Sequence, residues 1–106
     1  QYKEAGIWYE KGLNIAEDLL KETDTLQAKE DLCISYEYMG SVLEALNKLK
    51  YARRWYLKLV MLREELVNKD RSKVNKALLS EAYERLGKVT WAMGDSVEAK
   101  KWFDKC

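Results

Sequence analysis

The sequence predicts an all-α protein, a solenoid of antiparallel helical hairpins with about five helices. Three observations carry this. One octet recurs at equal spacing: EAGIWYEK at 4–11, YARRWYLK at 51–58 and EAKKWFDK at 98–105. Between its copies, apolar residues fall at three- and four-residue intervals, the period of one helical face. The 106-residue chain has no proline and five glycines, which removes most turn punctuation and favours long helices.

The repeat holds without gaps. Trp8, Trp55 and Trp102 are 47 residues apart, as are Ala5, Ala52 and Ala99, and Lys11, Lys58 and Lys105. Tyr9, Tyr56 and Phe103 keep one register as an aromatic, and Tyr36, Glu37, Gly40, Val42 and Ala45 match Tyr83, Glu84, Gly87, Val89 and Ala92. The elements follow in order within one domain, 1–106. Residues 1–24 read as the second helix of a partial repeat, 25–71 as a full repeat and 72–106 as a repeat truncated at its C-terminus.

In 25–46, Leu32, Tyr36, Met39 and Leu43 line a face behind the N-cap candidate Thr25. Asn47, matched by Gly94, suits a left-handed turn. In 48–69 the stripe is Ala52, Tyr56, Leu59, Leu62 and Leu66. Ser72 then caps a third helix through Met93, with Leu79, Tyr83, Leu86 and Val89 inward. A one- or two-residue turn joins each hairpin, and helices near 20 residues would be about 30 Å long. Gly40 and Gly87 sit mid-helix at a cost of about 1 kcal/mol against alanine, which signals close approach of a neighbour. Ala52 and Ala99 are the expected facing residues. The octet is the packing stripe of each second helix, and it recurs because a hairpin buries its apolar face only by stacking on a like neighbour.

Composition excludes several function classes. Nineteen basic residues against 18 acidic give a formal net charge of +1, with no overall drive toward nucleic acid or membrane. No apolar run approaches the roughly 18–20 residues of a membrane span. Histidine is absent, and with it the commonest general base and metal ligand. There is no glycine-rich phosphate loop, Cys-x-x-Cys pair or nucleophile elbow. The reading is non-enzymatic, with no catalytic residue, cofactor or metal. Cys33 and Cys106 are unrelated thiols, consistent with a reducing, cytoplasmic setting.

The spacing Tyr36-x2-Met39-Gly40-x2-Leu43 then Ala52-x3-Tyr56, and Tyr83-x2-Leu86-Gly87-x2-Thr90 then Ala99-x3-Phe103, resembles the tetratricopeptide repeat. The first copy keeps only Ala5-x3-Tyr9. The family's terminal proline is missing and the period is 47 instead of about 34, similar to the long-helix variety found in kinesin light chains and bacterial arrays. The resemblance implies a right-handed solenoid whose concave wall, lined by each first helix, binds peptides or partner segments. Helical geometry puts Ile34, Glu37, Tyr38, Ser41 and Glu44 on that wall in one repeat, and Glu81, Glu84, Arg85, Lys88 and Trp91 in the next. Trp91 stands out as an aromatic off the apolar stripe, fit either to anchor a partner or to pack under a neighbouring repeat. The acidic residues of the wall invite a reading as a groove for basic peptides; against it, Glu81 with Arg85 and Glu84 with Lys88 have the spacing of ordinary helix-surface ion pairs, worth roughly 0.2–0.5 kcal/mol each. The family's carboxylate clamp is not matched: Glu37, Ser41, Glu84 and Lys88 occupy its positions.

The second helices carry a basic, aromatic-interleaved strip: Lys48, Lys50, Arg53, Arg54 and Lys58 around Trp55, and Lys100, Lys101 and Lys105 around Trp102. An RNA or acidic-partner surface on the convex side is one reading of it, and a solvated face is the other. An architectural spacer or oligomerisation segment in a larger protein is the alternative to partner binding. The chain reads as a piece of a longer array, with open ends suited to end-to-end self-association.

Overall fold

The computed structural model describes residues 25–106 and, before them, helical residues 11, 14, 15, 17 and 18. The first octet copy, with Ala5, Trp8 and Tyr9, lies outside the described residues, as does most of the segment 1–24. Among residues 25–106 four helices pack consecutively and there is no strand: α1 Leu26–Ala45, α2 Leu49–Lys69, α3 Lys73–Ala92 and α4 Ser96–Lys105.

Local chemistry sets the boundaries. Thr25 Oγ1 accepts from the Ala28 amide at 3.1 Å, Ser72 Oγ from Asn75 at 3.2 Å and Asp95 Oδ1 from Glu98 at 3.0 Å, so three of the helices begin on a side-chain cap. α1 and α3 end in the same Schellman turn. The Asn47 amide donates to Glu44 O at 2.9 Å and Lys48 to Leu43 O at 2.8 Å; one repeat later Gly94 donates to Trp91 O at 2.9 Å and Asp95 to Thr90 O at 3.0 Å. The motif needs a left-handed residue, and Asn47 (φ 57°) and Gly94 (φ 89°) supply it. Each hairpin turn has three non-helical residues, one more than the sequence suggested, because the residues flanking Asn47 and Gly94 leave the helix to complete these bonds.

The core runs through all four helices. Leu32, Cys33, Tyr36, Met39 and Leu43 of α1 meet Trp55, Tyr56, Leu59, Val60 and Leu66 of α2, then Ala82, Tyr83, Leu86 and Val89 of α3 and Trp102 of α4. Thr90 is fully buried, and its hydroxyl donates back to the carbonyls of Leu86 and Gly87, so it adds no unsatisfied polar atom.

The contacts recur with the sequence. Tyr36 and Trp55 rings lie 5.8 Å apart, and Tyr83 and Trp102 rings 6.1 Å apart. Lys58 sits over Tyr36 and Trp55, and Lys105 over Tyr83 and Trp102. The Tyr36 hydroxyl bonds Glu17, and the Tyr83 hydroxyl donates to Glu64, 47 positions on, at 2.6 Å. Two long-range ion pairs then order the layers. Arg53 grips Glu98 through two bonds of 2.8 and 3.0 Å, joining α2 to α4, while Glu37 meets Arg85 at 2.9 Å, joining α1 to α3. First helices thus lie on one side and second helices on the other, in a slab of 37 × 36 × 16 Å.

The mid-helix glycines do face a close neighbour, but it is not the alanine. A Cβ at position 40 would sit 2.7 Å from Cδ1 and Cζ of Tyr56, and one at 87 would sit 2.6 Å from Cε1 of Phe103. Each glycine makes room for the octet's aromatic ring, four residues beyond the alanine. Ala52 and Ala99 are themselves fully buried.

Candidate protein-binding face

The ten wall residues lie on the outward side of α1 and α3. Three are large apolar side chains left in solvent: Ile34 is 63% exposed, Tyr38 50% and Trp91 64%. Trp91 therefore does not pack under a neighbour among the described residues. Five of the polar members, Glu44, Glu81, Glu84, Arg85 and Lys88, converge on an open depression of about 330 Å³ between the two helices.

Beneath one of them, Glu44, stands a residue that sequence reasoning assigned only to packing. The fully buried Tyr56 rises from α2, and its hydroxyl donates to Glu44 Oε1 at 2.6 Å and lies 3.3 Å from Ser41 Oγ. Burial first, and then the bond to Glu44, push this phenol up to about 12, so it remains a donor at any physiological pH. Glu44 is thereby held in one orientation. In the next repeat the three positions become Lys88, Trp91 and Phe103, and all three differ together. A ring without a hydroxyl needs no acceptor, and position 91 carries an indole that faces water. That joint change, Tyr to Phe with Glu to Trp, was the available sequence signal for a role of Tyr56.

The charges pair differently from the helix-spacing expectation in one case. Lys88 does reach Glu84 within α3, at 2.9 Å. Arg85, expected to pair with Glu81, instead crosses to Glu37 on α1 at 2.9 Å, because α1 and α3 come close enough on this face for the two side chains to meet.

The basic strip of the second helices is largely engaged. Arg53 is bound to Glu98, and Lys58 to Glu17 at 3.1 Å, while Lys101 and Lys105 lie over the Trp102 ring at 4.9 and 5.3 Å. The Arg53 guanidinium, aided by the Trp102 indole N–H, holds the Glu98 carboxyl below its ordinary value. Lys100 pairs with Asp104 at 3.3 Å. Arg54 and Lys50 remain exposed.

At the opposite end, Leu26, Lys29, Glu30, Leu66, Lys69, Asp70 and Asn75 border a second depression of about 290 Å³. Beside it Arg63, 6% exposed, binds both oxygens of Glu30 at 2.9 and 3.0 Å. Cys33 is buried and its thiol is pushed up to about 11, chiefly by desolvation; Cys106 is exposed. Among the described residues no group of histidine, cysteine, aspartate or glutamate is placed to hold a metal ion, and no helix is long and apolar enough to cross a membrane. Compared with protein-family models, curated proteins and solved structures, the chain matches none.

Proposed function

We propose that this chain is a non-catalytic protein-interaction module that binds a peptide or extended partner segment along the α1–α3 face. In this reading that face is the concave wall of a right-handed, tetratricopeptide-like solenoid, in which stacked hairpins fix the spacing of contacts. The observation that carries it is the exposure of Ile34, Tyr38 and Trp91 on one face, beside a polar groove, while Trp55, Tyr56 and Trp102 of the octet are buried in the core. An exposed indole flanked by polar groups is the kind of anchor that dominates binding surfaces. The convex basic strip supports a nucleic-acid reading poorly, since Arg53, Lys58 and Lys100 are already matched by carboxylates.

The test is affinity capture from source lysate with the parent chain and a Glu84→Lys, Trp91→Ala variant whose helicity and Tm equal the parent's. A partner held by the parent and lost by the variant supports the proposal. Equal recovery by both overturns it in favour of an architectural role.

A further inference from the structure

Resting on that reading, we propose that the occupant of the α1–α3 groove is an extended protein segment bearing lysine or arginine. Its cation would lie against Glu44 and Glu81, and a neighbouring apolar side chain would lie on Trp91. Charge complementarity selects it. Of the charged side chains lining the groove, both cations are taken, Arg85 by Glu37 and Lys88 by Glu84. Glu44 and Glu81 have no basic partner among the described residues. An acidic segment would meet these two carboxylates and would have to break existing pairs to find a cation. A basic segment completes the set.

Glu44 is also the best-placed of these acids. It is half-buried and already fixed by the Tyr56 hydroxyl, so it gives up little rotamer freedom when a cation arrives. Trp91 lies one turn past Lys88 on the same stripe, with its ring in solvent, and can take an alkyl group or the face of a guanidinium. A depression of about 330 Å³ receives side chains of an extended chain, not a helix about 10–12 Å across.

The test uses the whole chain and two labelled peptides of equal length, leucine and glycine content, one bearing lysine and arginine and the other glutamate at the same positions. Anisotropy at low salt should register the basic peptide only. Glu44→Gln with Glu81→Gln should weaken it about tenfold, the product of two partly exposed pairs. Tyr56→Phe should weaken it less, by freeing Glu44. Glu65→Gln with Asp104→Asn, the same charge change on α2 and α4, should leave affinity nearly unchanged.

Equal or better binding of the acidic peptide, an equal loss in the α2/α4 control, or no binding of either peptide overturns the proposal. So does a dimer in sedimentation that Glu44→Gln with Glu81→Gln dissolves, since a second copy would then fill the groove. If peptide binding fails while the captured partner is still lost on Trp91→Ala, only the basic class falls and the face survives.

Discussion

Replacing Gly40 by alanine tests the packing rule that links the two hairpins, because Gly87 provides the same substitution in a different setting. Intrinsic helix preference alone favours alanine by about 1 kcal/mol at either site. Against this stands the ring. At position 40 the new methyl would meet Tyr56, which is fully buried and tied by its hydroxyl to Glu44, so the ring has nowhere to go. Overpacking of this kind costs about 1–3 kcal/mol. Displacing the ring also strains a hydrogen bond to a carboxylate worth about 1.5–3 kcal/mol.

The net expectation for Gly40→Ala is a loss of about 2 kcal/mol or more, or roughly 8–16 °C in Tm. At position 87 the obstacle is Phe103, 38% exposed in the last turns of α4. It can swing toward solvent at little cost, so Gly87→Ala should fall within about 1 kcal/mol of the parent. Urea unfolding followed by circular dichroism measures both. Equal losses at the two sites, or a Gly40→Ala variant as stable as the parent, would refute the ring-clearance account.

Three further outcomes are expected. Because Arg53 depresses the Glu98 carboxyl, the stability it contributes is present above the unfolded value of about 4.3 and is lost as pH falls through the lower folded value. Glu98→Gln should therefore lower Tm at neutral pH and flatten its acid decline below about pH 4, read by thermal melts across pH. Arg63→Ala should destabilise by about 2–3 kcal/mol, less than a wholly buried pair because Glu30 is 30% exposed and can rehydrate; Arg63→Met, which keeps the stem, should lose less in the same urea titration. Cys33, buried with its thiol pushed up to about 11, should resist a disulfide reagent in the native protein while Cys106 reacts, giving one equivalent native and two in denaturant.

Much of the fold was legible because it is written along single helices. Thr25 and Ser72 announce their helices by cap chemistry, Asn47 and Gly94 announce the left-handed turns, and the three- and four-residue spacing marks the buried stripe. Relations between helices were not legible to the same depth. Spacing placed Gly40 opposite the α2 stripe, but it could not tell Ala52 from Tyr56 as the residue filling the gap, because that depends on the height of the ring above the helix axis. It paired Arg85 along α3, since only i,i+4 partners are visible in one helix, whereas the nearest carboxylate was on α1. The basic strip looked free for the same reason: Glu98 and Glu17 reach it from far along the chain. For the candidate face, helical phase sufficed to put the ten residues on one side. The Tyr56 support beneath Glu44 comes from the opposite layer and required coordinates.

The exchange of Ser41, Glu44 and Tyr56 for Lys88, Trp91 and Phe103 ties the choice of a surface residue to one buried atom. With tryptophan in place of Glu44, a tyrosine as buried as Tyr56 would keep only its 3.3 Å contact to Ser41 Oγ, and with lysine in place of Ser41 as well it would strand a hydroxyl at a cost of about 1–3 kcal/mol. Phenylalanine beneath a glutamate carries no such penalty, since the half-exposed carboxylate keeps its water. Phenylalanine at this position therefore tolerates either glutamate or tryptophan above it, whereas tyrosine favours the glutamate. One hydroxyl under the groove thus couples the buried layer to the surface: where it is present the position above it favours a carboxylate, and where it is absent an indole is tolerated.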